Sequence, residues 1–121
     1  MKSVLDTNAI LYLLGGKLAE GLPAAAYYIS VISEIEVLSY PSLDASAYDQ
    51  IQEFLSAVTV IGLDDEVKDQ AIRLRRQHQL KLPDAIVAAT ALSLGARLIT
   101  NDTKLLRVPG LRSEKLKLKG R

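Results

Sequence analysis

The sequence predicts an α/β fold, a parallel sheet covered by helices. Strand-like and helix-like segments alternate along the chain, the order expected when each strand is followed by a crossover. One late helical segment is apolar nearly all round, so it belongs inside a layered structure rather than on its surface. At 121 residues the chain is most simply one domain, residues 1–121, large enough for a real core.

The elements follow in order. Lys2–Leu5 reads as the first strand, and a helix from about Asn8 to Leu14 ends at Gly15-Gly16. Ala26–Ile32, "AYYISVI", is rich in β-forming residues and reads as the second strand. A short helix starts at Ser33 and stops before Pro41. Tyr48, Ile51, Leu55 and Val58 recur at helical spacing, and Val58–Leu63 reads as the third strand. Val67, Ala71, Leu74 and His78 stripe an amphipathic helix whose outer face carries Lys68, Arg73, Arg75 and Arg76. Pro83 sits at a favoured first-turn position of the apolar helix, which Gly95 ends. Ala96–Thr100 reads as a fourth strand, and the basic tail at about 113–121 as an edge strand or a disordered end.

The formal net charge of +1 does not announce a nucleic-acid or membrane binder. The balance is uneven, however. Residues 1–60 carry 2 Lys against 7 acids, and residues 61–121 carry 13 Lys plus Arg against 7 acids, a weak hint of polyanion contact in the second half. The absence of cysteine excludes disulfides and thiolate metal sites. No signal peptide is visible, because Asp6 interrupts the early apolar run, and "AIVAATALSLGA" is too short to span a bilayer. A soluble, cytoplasmic protein is expected.

Four acids stand at one predicted rim. Open parallel sheets gather chemistry at the carboxyl ends of their strands, near the point where strand order reverses. Asp6 follows the first strand and Asp102 the fourth, so strands flanking that point would bring the two together. Glu36 lies one turn beyond the second strand. Asp84 starts the helix that feeds the fourth strand, which places it at the same edge.

Each acid has an ordinary structural explanation. Ser33-Glu34-Ile35-Glu36 fits a capping box, Asp84 complements a helix dipole, Asp102 can cap a short helix and Asp6 can hold a turn. Together they are harder to explain. Two carboxylates about 6 Å apart repel by roughly 3 kcal/mol at an effective dielectric of 20. Oxygen-only donors without His or Cys select a hard cation, Mg²⁺ or Mn²⁺. Such an ion suits phosphodiester cleavage.

With these residues in place, the sequence resembles the PIN-domain nucleases, most closely the VapC-like toxins of type II toxin–antitoxin pairs. The matching blocks are "LDTNAIL", "SVISEIEVL", "KLPDAIVAATAL" and "LITND", in the family's order, spanning about Lys2 to Leu106. The resemblance implies a three-layer α/β/α PIN-like fold with a central parallel sheet of four or five strands. It carries the family's acidic quartet to Asp6, Glu36, Asp84 and Asp102, as metal ligands and catalytic residues. Glu34 competes with Glu36, and the Ser33-x-x-Glu pattern favours Glu36. Thr100 matches a small hydroxyl residue that supports the acids, and equally well simply closes a strand. Asn8 either touches the site or caps the first helix, with the cap favoured. The implied activity is a Mg²⁺- or Mn²⁺-dependent endoribonuclease acting on single-stranded RNA, with a cognate antitoxin that blocks the site and commonly a homodimer. A two-metal scheme would leave a 5′-phosphate and a 3′-hydroxyl.

Other features read as ordinary. His78 is the only histidine and falls on an apolar stripe near a helix C-terminus, a placement that favours a cation without catalysis. "RLRRQHQLK" and the tail lysines are as consistent with solvated faces as with phosphate contacts. Gly15-Gly16-Lys17 lacks the spacing and hydroxyl of a phosphate loop. Two rival classes remain: a non-catalytic interaction module whose acids only cap helices, and a phosphoryl-accepting signalling domain. The second would want paired acids after the first strand, where only Asp6 is found, although Asp64 and Asp65 follow the third.

Overall fold

The computed structural model describes residues 1–41 and 43–120. Its elements are β1 (Lys2–Leu5), α1 (Thr7–Leu14), β2 (Ala26–Ser30), α2 (Val31–Leu38), α3 (Ala45–Ser56) and β3 (Thr59–Ile61). They continue with α4 (Asp65–His78), α5 (Leu82–Leu94), β4 (Arg97–Ile99), α6 (Thr103–Leu106) and β5 (Ser113–Glu114). The strands form one sheet in the order β3-β2-β1-β4-β5, and every neighbouring pair is parallel.

Alternate residues of the central strands face opposite layers. Val4 and Leu98 point to a core filled by α4 and α5, with Val67, Ala71 and Leu74 meeting Ala85, Ala88 and Ala89. Leu5, Ile29 and Ile99 point the other way, to Ala9 and Ile10 of α1, Val37 of α2 and Ile51 of α3. The result is three layers, α/β/α, around five strands. Residues Ala85 to Ala91 of α5 are all buried, as its all-round apolar sequence requires. Thr90, the one polar member of that run, returns its hydroxyl to Ile86 O at 2.8 Å. Gly95 then takes a left-handed φ of 63° to turn the chain into β4. Among the described residues no helix is long and apolar enough to cross a membrane.

Four expectations are corrected. The second strand ends at Ser30 rather than Ile32, because Ser30 Oγ accepts the Ile32 N–H at 3.1 Å and starts α2 there. This cap outweighs the β preference of Val31 and Ile32. Ser33 is therefore a buried residue inside the helix, and the expected capping box from Ser33 to Glu36 is not formed. Nor does Asn8 cap α1: Asp6 does, with Oδ1 accepting the Ala9 N–H at 2.7 Å. The third strand is also shorter than expected, Thr59–Ile61, since Val58 belongs to the turn after α3 and Gly62 ends the pairing.

The tail supplies the fifth strand. β5 pairs with β4 through Leu98↔Ser113 and Ile99↔Glu114. Beyond it, Asn101 substitutes for a further rung, its side chain bonding Leu116 N–H at 2.7 Å and Leu116 O at 3.1 Å. Leu118 then bridges back to Leu18.

Candidate active site

Strand order reverses at β1: β2 and β3 lie on one side, β4 and β5 on the other. The register Ser3↔Arg97, Val4↔Leu98, Leu5↔Ile99 delivers Asp6 and Thr100 side by side just past the carboxyl ends. The Asp6 N–H closes the ladder on Ile99 O at 3.1 Å. Thr100 is fully buried, and its Oγ1 accepts the Asp102 N–H at 3.0 Å. Asp102 in turn caps α6, Oδ1 receiving the Lys104 N–H at 2.8 Å. One hydroxyl thus ties together the two acid-bearing segments.

Glu36 enters from α2 and Asp84 from the first turn of α5. Asp6, Glu36, Asp84 and Asp102 all line one cleft of about 400 Å³ at the carboxyl edge, with Thr7 and Asn8 beside them. Glu34 does not line it. Of the two candidates on α2, Glu36 is the one brought to the other acids, although the capping argument that singled it out does not hold.

Asp6 is 6% exposed. Burial pushes its carboxyl above the usual range, hydrogen bonds with the Thr100 side chain and the Ala9 N–H pull it down, and the charges of Asp102 and Glu36 push it up again. Asp84 is raised as well, first by burial and then by Asp102, Asp6 and Glu36, with Lys81 opposing. Asp6 and Asp84 therefore feel the other acids of the cleft electrostatically. Among the described residues no lysine or arginine lines the cleft.

The described residues contain no group of three or more His, Cys, Asp or Glu side chains already drawn together around an ion position. The donor chemistry nevertheless fits a hard divalent cation. All four groups are carboxylates, they share an open cleft, and their mutual repulsion has no compensating cation in the lining.

The sequence matches the family model described as PIN domain over residues 3–111. The chain belongs to the PIN domain family. Solved structures share the fold of this PIN domain over nearly its whole length. VapBC2 from Rickettsia felis, bound to a DNA fragment from its promoter, superposes with a TM-score of 0.80 at 21% identity, covering 97% of this chain and 100% of that one. A toxin–antitoxin complex from Klebsiella pneumoniae gives 0.70 at 28% identity, with 90% and 94% covered. VapBC-1 from nontypeable Haemophilus influenzae gives 0.76 at 23%, with 95% and 98% covered. No curated protein sequence matched the chain.

Two polar residues of this PIN domain have roles that sequence reasoning does not reveal. Thr7 Oγ1 lies 2.6 Å from Glu36 Oε1 and 2.9 Å from Ser33 Oγ. A carboxylate only accepts, so the Thr7 proton goes to Glu36 and buried Ser33 donates to Thr7. The signal was present in "LDTN" as a hydroxyl next to the first acid, but its partners lie 26 and 29 residues away. His78 lies outside the acid cleft, in a separate cavity. Asp64 caps α4 through the Val67 N–H at 2.8 Å, and Asp65 pairs with Lys68. Neither lines the cleft, so no acid after the third strand joins Asp6 as a phosphoryl-accepting site would need.

Proposed function

We propose that this PIN domain is a Mg²⁺- or Mn²⁺-dependent endoribonuclease cleaving single-stranded RNA, and the toxin of a toxin–antitoxin pair. The observation that carries the reading is the convergence of four carboxylates, from four separate segments, on one cleft at the switch point of a parallel sheet. Asp6, Glu36, Asp84 and Asp102 would hold the ion. Bound there, a divalent ion supplies a Lewis acid for phosphate oxygens and a water acidic enough to attack near neutral pH.

The chain's own residues prepare that chemistry. β1 and β4 hold Asp6 and Asp102 rigidly at neighbouring strand ends, the two positions assigned the central role. Thr100 fixes the Asp102 backbone while bonding Asp6, and Thr7 orients Glu36. With no cation in the lining, the ionised acids repel a phosphodiester, so RNA enters productively only once that charge is offset.

The complexes of the structural neighbours support an antitoxin partner for this chain. We extend the reading to a protein inhibitor covering the acid cleft, a homodimeric assembly and a cytoplasmic location.

RNA cleavage with Mg²⁺, with Mn²⁺ and with chelator, comparing wild type and Asp6→Asn, tests the proposal. Metal-dependent cleavage abolished by Asp6→Asn in a folded protein is expected. Cleavage that survives the substitution overturns the site assignment. A second reading has one observation in its favour: Asp6 and Asp102 do cap α1 and α6. A non-catalytic module of this kind would bind divalent ions only at millimolar concentration and without selectivity.

A further inference from the structure

Next to the acid cleft lies a cavity of opposite charge. It measures about 310 Å³ and is lined by His78, Gln79, Leu80, Lys104, Arg107 and Val108, with no acid among them. We infer that this cavity is a phosphate-binding subsite for single-stranded RNA, seating a backbone phosphate that neighbours the one held at the four carboxylates. The inference rests on the nuclease reading of the acid cleft and names how that site holds its substrate.

The two concavities share α6. Asp102, its cap, lines the acid cleft, while Lys104 and Arg107 line the basic cavity. Two peptide links separate Asp102 from Lys104, at most about 7.6 Å between Cα atoms. The Lys104 N–H is bonded to Asp102 Oδ1, so the backbone carrying the cation is fixed to the acid.

The opposite wall is equally built. Gln79 takes a left-handed φ of 54°, the one positive φ at a non-glycine among the described residues, and turns the chain sharply between α4 and α5. Arg75 reaches across this turn to Leu80 O, and the Gln79 N–H closes on Arg75 O at 3.1 Å. The Arg75 carbonyl in the last turn of α4 and the Leu80 carbonyl beyond it are thereby satisfied, which weakens their repulsion of an anion. Lys104 and Arg107 have no acidic partner, since the ion pairs among the described residues are Lys68–Asp65 and Arg97–Glu114. Both are exposed, and Leu105 between them anchors α6 in the core.

Acid cleft and basic cavity then divide the work. The first places the scissile phosphate through a cation, and the second holds its neighbour by direct charge. This sets the register of the strand by its backbone and leaves base identity unread.

The test uses the full chain with Lys104→Gln and Arg107→Gln combined, its fold verified by circular dichroism and melting. Binding of a labelled single-stranded RNA is measured in chelator, where cleavage is off, across a salt series. The double variant is expected to bind about 3- to 10-fold more weakly. Loss of one phosphate contact should also flatten the slope of log K against log[salt] by about 0.7. With Mg²⁺ or Mn²⁺ present, KM should rise for an oligonucleotide carrying phosphates on both sides of the cut and stay unchanged for a dinucleotide. The charge-conserving pair Lys104→Arg and Arg107→Lys should restore the slope. An unchanged slope and unchanged KM overturn the subsite and leave the nuclease reading standing. A slope change without any metal-dependent cleavage by wild type overturns the nuclease reading and keeps the cavity as an RNA contact. A slope change on duplex DNA but not on single-stranded RNA overturns the subsite in favour of another polyanion.

Discussion

Thr7 and Glu36 meet across the interface of α1 and α2, hydroxyl to carboxylate at 2.6 Å. Ser33 backs the hydroxyl from the buried side. Glu36 is otherwise an exposed glutamate with several rotamers open to it, so this contact restrains its carboxylate at the cleft. Thr7→Val keeps the shape and removes the bond. Metal-dependent cleavage is expected to fall about 10- to 100-fold, the usual consequence of losing a partner that orients a ligand. Thr7→Ser should restore most of it. Equal rates for Thr7→Val and wild type would show that Glu36 needs no fixing.

Asp6 and Asp84 make stability depend on pH in a defined sense. Both are raised, first by burial and then by neighbouring acids. The folded chain therefore holds these protons at pH values where the unfolded chain, with its aspartates near 3.9, has released them. Stability is highest below the unfolded value and falls as pH climbs toward the raised native values, after which the full penalty persists. Asp6→Asn removes part of that penalty and can still accept the Ala9 N–H. In metal-free buffer at pH 7 its melting temperature should rise by about 4 °C, the shift expected for about 1 kcal/mol at this size. The gain should shrink as the buffer is taken below pH 4. A drop in melting temperature at pH 7 would mean that the Asp6 charge stabilises the apo fold.

The same shifts govern metal binding. Carboxylates ligate in their ionised form, so protons and the cation compete at Asp6 and Asp84. Affinity for Mg²⁺ should decline on acidification sooner than it would at carboxylates in the ordinary range. Calorimetric titration over a descending pH series, beside a reference site of ordinary carboxylates, checks this, and a decline that sets in no sooner than at the reference would count against ligation by either aspartate.

Thr100 is a sharper test of the switch point. It is fully buried, accepts the Asp102 N–H and bonds Asp6. Thr100→Val leaves that N–H without its partner and withdraws a bond that lowers the Asp6 carboxyl. A loss of about 1–3 kcal/mol is expected, together with weaker divalent binding. Chemical denaturation and metal titration of the same variant check the two effects. Full stability combined with unaltered metal affinity would reduce Thr100 to a strand-closing residue.

How much of this was legible beforehand differs from residue to residue. Asp6 could be placed because it stops an apolar run and Asp102 because it lies just past the fourth strand, so both are delivered to the carboxyl edge. Asp84 could be placed because its helix feeds β4 through Gly95. Glu36 was selected over Glu34 by a capping pattern that is not there: the cap is Ser30, hidden because Val31 and Ile32 look like strand continuation. Thr7 and Ser33 were invisible in their roles. Their contact depends on the approach of α1 to α2, which no local period encodes. The cavity of Lys104 and Arg107 was equally hidden, since it exists only where the α4–α5 turn meets α6.

Asn101 offers a prediction that separates scaffold from site. Its amide bonds both the N–H and the carbonyl of Leu116, at 2.7 Å and 3.1 Å, and so acts as an extra rung between β4 and the tail. Leu116 packs against the core shared by α1 and α3, and beyond it Lys119 N–H reaches Lys17 O at 2.8 Å. Asn101→Ala removes both bonds at once. About 1–2 kcal/mol should be lost, and amide exchange at Leu116 and Lys119 should accelerate well before that of β4. Asp102 keeps its own support from Thr100 and its cap on α6, so cleavage should stay within about twofold of wild type. A tenfold loss of cleavage with β4 still protected would instead make the tail part of the site, because the only structure lost would be the strand that Asn101 holds.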